Sequence, residues 1–311
     1  MEVMRDLGSC PTPPGGCVVT MGNYDGVHRG HREVIEALNE RVIAGGGASA
    51  LITYEPHTLA VINPARAPKL LTTTARKLEL LAETGLDYTL VLTFDETRRS
   101  QSAEDFVAEV IGGCLHARQV VVGADVRFGF RAGGDIGLLE SLGPQHGFSA
   151  HMLDLVVTDG QEKISSTRIR QALQRGDVAW ASWALERPHE VGGQVVGGDK
   201  RGATIGYPTA NVGAPPWMCL PGDGIYAGWA RLGERRIPTV VSVGKRPTFY
   251  EHADASLVEA HLFDFSDDIY GEELVVEFHH WIRPELRFDG VSDLVEQIDR
   301  DAAEARALLD L

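Results

Sequence analysis

Gly22-Asn23-Tyr24-Asp25-Gly26-Val27-His28-Arg29-Gly30-His31 decides how the first half of this chain is read. Before it runs Cys17-Val18-Val19-Thr20-Met21, a mainly apolar run that reads as a buried strand. After it, Val34, Ile35, Leu38 and Val42 recur on one face of a helix. A glycine-rich turn therefore joins a strand to a helix N-terminus. Such a junction is an anion site, because free backbone N–H groups and the positive helix end face the same way. Gly22, Asn23 and Asp25 shape the turn, and His28 and His31 stand where phosphate oxygens would lie. Gly30 between them lets a ligand approach the backbone closely. A histidine pair at this spacing also occurs in purely structural roles, so its weight depends on what else the chain carries.

Outward from this turn, apolar runs alternate with helical patterns. The runs at 17–21, 49–54, 88–94, 119–123 and 149–157 read as strands. Helices are expected at 31–44, 73–84, 102–112, 135–142 and 167–185. This alternation predicts a parallel sheet with helices on both faces, a Rossmann-like α/β domain that binds ligands at the carboxyl ends of its strands. Gly22, Pro56-His57 and Gly123 all fall at such ends. After Arg187-Pro188 the style changes to short strands broken by Gly and Pro, closed by a helix over Ser292–Leu309. That pattern predicts a small β-barrel with a helix packed outside. The expected domains are 1–186 and 187–311.

More segments carry chemistry. Val120-Val121-Val122-Gly123-Ala124-Asp125 runs a strand into a polar turn. Lys163-Ile164-Ser165-Ser166-Thr167-Arg168-Ile169-Arg170 brings hydroxyls and cations to a helix start, where Ser166 or Thr167 can cap. In the second half, the stretch from Gly192 to Gly202 is glycine-dense and basic, with Gly198, Lys200 and Gly202 placed to approach a phosphate. Tyr207-Pro208-Thr209-Ala210-Asn211 follows. Thr209 and Asn211 alternate as on a strand, so both side chains can face one ligand. Oxygen donors of this kind suit Mg²⁺ shared with substrate phosphates.

The chain has 311 residues and a formal net charge of −15, which argues against nucleic acid or an anionic membrane as partner. Cations for a phosphate ligand must then be gathered locally. The four cysteines form no Cys-x-x-Cys pair and no disulfide framework, so the expected compartment is a reducing cytoplasm. The Pro-rich start, Met1–Gly16, has no apolar core of the kind a signal peptide needs. No apolar run reaches the about 18 residues that a membrane span requires.

Taken in order, these motifs resemble those of the bacterial bifunctional riboflavin kinase/FMN adenylyltransferase family, also called FAD synthetases. His28-Arg29-Gly30-His31, Gly123-Ala124-Asp125 and Ile164-Ser165-Ser166-Thr167 carry the resemblance over residues 17–178. Pro208-Thr209-Ala210-Asn211, the Gly224-Ile225-Tyr226-Ala227 stretch and Glu259 carry it over 186–310. The resemblance implies phosphorylation of riboflavin to FMN by ATP, then adenylylation of FMN to FAD with release of pyrophosphate. It implies Glu259 as the kinase's catalytic base, with Gly198, Lys200, Gly202, Thr209 and Asn211 at ATP and Thr209 and Asn211 at Mg²⁺. It implies that Gly22, Asn23, Asp25, His28, His31, Gly123, Asp125, Lys163, Ser166, Thr167 and Arg168 hold the second ATP, His28 and His31 acting in catalysis, with Pro56 and His57 on the flavin side. Riboflavin, FMN and ATP are the implied partners; oligomeric state, a homo-oligomer included, stays open.

Some positions depart from the family pattern. Ala203 stands where an arginine is usual, Tyr207 and Tyr24 where phenylalanine is, Val126 where an aromatic is, and Lys163 where arginine is common. Ala203 keeps open an adenylyltransferase whose barrel only binds flavin; a non-catalytic flavin-nucleotide sensor is a separate alternative. Retention of both motif sets speaks against the sensor.

Overall fold

A computed structural model describes residues 1–8, 10–153, 163–197, 202, 205–245 and 256–311. Strands β1 (Glu2–Met4), β2 (Cys17–Met21), β3 (Ala48–Glu55), β4 (Tyr88–Thr93), β5 (Ala117–Gly123) and β6 (Ser149–Leu153) form one sheet in the order β1-β4-β3-β2-β5-β6. Every neighbouring pair is parallel. The two-residue period of a strand sends alternate side chains to opposite faces. Val19, Ile52, Leu90 and Val120 meet one layer of helices, α5 (Ala103–Phe106) with its π-helical continuation Val107–Cys114, and α6 (Ile136–His146). Val18, Leu51 and Val121 meet the other, α1 (Arg29–Gly45) and α3 (Thr74–Ala82). Fully burying a side chain such as Leu51 or Ile52 is worth about 1.5–3 kcal/mol, so sandwiching the sheet fixes its register. Short helices α2 (Thr58–Ile62) and α4 (Glu96–Ser100) follow β3 and β4.

The strand order places the site. From β2 the chain builds outward through β3 and β4, then returns to add β5 on β2's other side. In open parallel sheets, ligands bind outside the carboxyl ends of the strands where the order reverses. Here that crevice opens between β2 and β5, at the Gly22–His31 turn and the Gly123-Ala124-Asp125 turn.

The second unit follows α7 (Ser166–Gln174) and α8 (Val178–Leu185). Strands β7 (His189–Val196), β8 (Ala210–Gly213), β9 (Gly224–Leu232), β10 (Arg235–Lys245), β11 (Ser256–Leu262) and β12 (Glu273–Arg283) close into an antiparallel barrel ordered β10-β11-β8-β7-β12-β9. Helix α9 (Val291–Leu308) packs outside, with Ala302 and Ala305 against Ala227, Val240 and Phe263. Arg283 of β12 makes a bidentate pair with buried Asp301 of α9.

Several expectations need correcting. The single helix expected at 167–185 is two. Gly176 adopts φ 78°, and a Cβ there would fall 2.5 Å from Trp281 Cε3, so the break requires glycine on two counts. Asp177 then caps α8 by accepting from Trp180 N–H (3.0 Å). By contact the chain divides into Met1–Pro68 with Thr72–Ser165, and Lys69–Leu71 with Ser166–Leu311. Helices α7 and α8 thus group with the barrel by contact, a division of the fold that leaves the expected functional boundary at 186/187 as an expectation. Cys10 and Cys114 are joined by a disulfide, contrary to the expectation of no bridge. One bridge across a sequence separation of 104 leaves no spacing signature to read. Cys17 and Cys219 are buried and lie outside any disulfide. Beyond Leu153 the strand expected to run to 157 lies outside the described residues.

Candidate functional sites in the sheet unit and the barrel unit

In the sheet unit, the turn after β2 is forced into an unusual shape. Tyr24, Gly26 and Val27 take φ of 50°, 87° and 41°. Positive φ is uncommon outside glycine and an outlier for a β-branched residue. Strain of this kind persists where the surroundings over-determine it. Asp25 is buried and its Oδ1 accepts from Thr72 N–H (3.3 Å), while Thr72 Oγ1 accepts from Gly26 N–H (3.2 Å). Asn23 clasps the start of α2: its Nδ2 donates to Thr58 Oγ1 (3.1 Å) and its Oδ1 accepts from Thr58 N–H (3.2 Å). Tyr24, in place of the family's phenylalanine, pairs its hydroxyl with Thr20 Oγ1 (2.9 Å), which explains why a buried phenol is tolerated.

His28 is the N-cap of α1, and its Nδ1 accepts from His31 N–H (3.4 Å). That role leaves Nε2 to carry the ring proton in the neutral tautomer. The two rings stack with centroids 3.6 Å apart, and Tyr24 lies 4.6 Å from His31. Burial first, then the proximity of His28 and Lys77, holds His31 well below the usual histidine range. His31 is therefore neutral at physiological pH, and its buried Nδ1 has no hydrogen-bond partner among the described residues. On the other side of the crevice, Lys163 pairs with Asp125 just beyond Gly123. Pro56 follows β3, and His57 caps α2 by accepting from Leu59 N–H (3.2 Å). Ser166, Thr167 and Arg168 open α7 and belong by contact to the other unit, where the Arg168 guanidinium lies 4.4 Å over the Trp180 ring.

Beside the turn after β3 is a cavity of about 340 Å³ lined by Tyr54, Ile62, Phe94, Phe106 and Phe130, with Arg98, Arg99 and Arg131 at its walls. Sequence reading missed it. Its residues come from separate loops, and nothing in their spacing brings them together. Lys77 of α3 likewise carries no sequence signal; it is buried behind the β2–α1 turn.

In the barrel, Thr209, Asn211, Ser242, Glu259 and Glu285 line a cavity of about 490 Å³. Glu259 of β11 stands directly across from Asn211 of β8 on one side and Ser242 of β10 on the other. An amide, a carboxyl and a hydroxyl thus lie abreast on adjacent strands. Leu286, Phe288, Leu294 and Ile298 supply an apolar wall. A second cavity, of about 270 Å³, shares Pro208, Thr209 and Tyr270 with the first and continues to Val195, Phe265 and Ile269. Burial and the carboxylates of Asp223 and Glu259 push Glu285 above the usual range, against the opposing effect of Arg283. Gly202 admits no side chain, because a Cβ there would strike the Tyr207 carbonyl. The Tyr207 hydroxyl donates to Asp299 of α9. Gly198, Lys200 and Ala203 lie outside the described residues. Among the described residues no cluster of three His, Cys, Asp or Glu forms a metal cage.

Comparison with known proteins accounts for both halves. A FAD synthetase family model matches residues 10–168, and a riboflavin kinase family model matches 185–309. The bifunctional riboflavin kinase/FMN adenylyltransferase of Escherichia coli K12 is 37% identical over 313 aligned residues, covering 100% of this chain and 99% of the relative. The Bacillus subtilis protein of the same name is 35% identical, with 93% and 91% covered. A solved structure titled a macrolide-efflux protein from Streptococcus pneumoniae superposes with a TM-score of 0.87 at 29% identity, covering 98% of each chain. Among the described residues of the present chain, no helix is long and apolar enough to cross a membrane.

Proposed function

Because this chain belongs to the bifunctional riboflavin kinase/FMN adenylyltransferase family, we propose that its two reactions are divided between the two units, each site matched to the nucleophile it meets. The enzyme phosphorylates riboflavin to FMN with ATP, and adenylylates FMN to FAD with release of pyrophosphate.

In the barrel the nucleophile is the 5′-hydroxyl of riboflavin, neutral and weak at pH 7. Glu259 accepts its proton as it attacks the γ-phosphate of ATP. The larger cavity, with its apolar wall of Leu286, Phe288, Leu294 and Ile298, takes the flavin, and the smaller one takes the nucleotide. Their shared lining at Pro208–Thr209 marks where phosphate and hydroxyl meet. The oxygen donors of Thr209 and Asn211 fit Mg²⁺, which when bound offsets charge on the phosphates. Gly198, Lys200 and Gly202 cover the phosphates, glycine allowing the backbone to approach them.

In the sheet unit the nucleophile is the FMN phosphate, already anionic, so no base is required. Catalysis is positioning and charge stabilisation. The Gly22–Asp25 turn, Gly123 and Asp125 seat the ATP; His28 and His31 donate ring N–H groups to its phosphates; Lys163 adds a cation, and the family resemblance assigns Ser166, Thr167 and Arg168 to the same nucleotide. Pro56 and His57 border the flavin. The aromatic cavity at Tyr54, Phe94 and Phe130 suits its planar ring, and Arg98, Arg99 and Arg131 suit its phosphate. Functional halves of 1–186 and 187–311 and a cytoplasmic location, where ATP is at hand, complete the reading.

The observation that carries it is the row Asn211–Glu259–Ser242 lining the same cavity as Thr209, beside a second cavity. Purified protein with riboflavin, ATP and Mg²⁺ should form FMN and then FAD, separated by chromatography. FMN that accumulates without FAD, or FAD formed only from added FMN, would mean that one half is inert.

A further inference from the structure

We propose that Lys77 is a positioning residue for adenylyl transfer: its buried ammonium ties the β2–α1 turn to the end of β3 and puts a positive charge beneath the phosphate site. This rests on assigning adenylyl transfer to that turn. Lys77 projects from α3, is 7% exposed, and donates to Asn23 O (3.2 Å), Thr53 Oγ1 (3.0 Å) and Tyr54 O (3.4 Å). Thr53 Oγ1 passes a further hydrogen bond to the same Asn23 carbonyl (3.0 Å). Two donors thus converge on the one carbonyl that precedes the positive-φ residues Tyr24, Gly26 and Val27. The side chain of Asn23 meanwhile grips Thr58, next to the Pro56-His57 turn. Lys77 therefore sits behind the residue that links the proposed nucleotide and flavin sides of the site.

Burying an ammonium is costly, so a lysine held in this position calls for a role that an apolar chain of similar length could not fill. Here the ammonium is held by neutral oxygens, with no ion pair to it among the described residues. The charged groups around it are Asp25 of the turn and Glu55 of β3, which favour its charge, and His31, whose protonation it opposes. Burial outweighs the two carboxylates and brings Lys77 down to about 8. Below that pH the charge is present. Above it the ammonium loses its proton, and the site loses a cation facing a polyanionic substrate.

The full-length enzyme carries its own control, since FMN formation uses the other unit. FMN-to-FAD and riboflavin-to-FMN rates are measured on the same preparations from pH 6 to 10. Lys77→Met should lower kcat for FAD formation about a hundredfold, the scale for a preorganised charge-stabilising group, with a smaller change in KM for ATP. FMN formation should be unchanged. Lys77→Gln, which can hydrogen-bond without charge, should stay low. Lys77→Arg, whose guanidinium does not titrate in this range, should recover activity and move the alkaline limb of the wild-type profile upward. FAD formation by Lys77→Met within about threefold of wild type, well short of that loss, overturns the proposal. So do equal losses in all three variants with the alkaline limb unmoved, the signature of mere packing. Wild-type enzyme that makes FMN but no FAD overturns the assignment of the reaction together with it, a result distinct from either Lys77 outcome.

Discussion

The turn after β2 and the row on β8, β11 and β10 solve opposite problems. The first gathers backbone N–H groups, two imidazoles and a buried ammonium around a crevice at the switch point of a parallel sheet. The second sets a carboxyl between an amide and a hydroxyl on an antiparallel barrel wall. The nucleophiles explain the contrast. An anionic phosphate attacking another phosphate needs cations and donors to offset charge, and gains nothing from a carboxylate. A neutral hydroxyl needs a proton acceptor, which a cluster of cations cannot supply. An acidic protein can hold both because cations are concentrated locally, Lys77 buried beneath the turn and Lys163 beside Asp125.

The sharpest way to break this contrast is to remove the base. Glu259→Gln keeps the size and a hydrogen-bonding group but cannot accept the proton, and general-base catalysis contributes about 10²–10⁴-fold. FMN formation should fall by that factor while conversion of supplied FMN to FAD holds. Loss of both together in a folded protein would end the two-site view. Next, His28→Ala or His31→Ala should lower only FAD formation, by roughly 10²–10³-fold. Because His31 is held neutral, it acts as a donor and not as a charge, so His31→Gln should retain more activity than His31→Ala. Equal loss would restore a charged histidine to the mechanism. Asn211→Ala or Thr209→Ala should reduce FMN formation about a hundredfold and spare adenylylation, checked with the same paired assays.

A smaller effect sharpens the comparison at the level of stability. His189 is buried on β7, bonds the Cys219 carbonyl through Nε2 (2.7 Å), and is brought down to about 4, chiefly by burial. The folded barrel keeps it neutral, whereas the unfolded chain takes up a proton near pH 6.5. Stability is fully present above that value and is lost as pH falls from 6.5 toward 4, by roughly 3 kcal/mol in all. Denaturant melts across this range should show the loss, and His189→Gln should remove most of it.

Much of the sheet was legible because buried parallel strands are continuous apolar runs and the helices between them are amphipathic. Strand β1 was not: Glu2–Met4 is too short to show a period. The break at Gly176 was visible as a glycine before a capping aspartate, but the helical pattern on either side masked it. Barrel strands announced themselves by their Gly and Pro breaks, while their order depends on pairings such as β9 with β12 that no local signal encodes. Among site residues, His28 and His31 could be found because the turn around them has a local reason to bind anions. Lys77 could not, since a helical lysine is ordinarily solvated. Only the close approach of Asn23 and Thr53 shows that this one is buried. Cys10 and Cys114 were missed for the same reason: their proximity is purely tertiary.

Independence of the two sites is tested most directly by mixing two crippled enzymes. Glu259→Gln protein should make FAD from FMN but not FMN from riboflavin, and His31→Ala protein the reverse. Combined with riboflavin, ATP and Mg²⁺, they should form FAD, as FMN released by one chain is adenylylated by the other. Loss of both steps in either folded variant, with no FAD from the mixture, would contradict two sites that work separately.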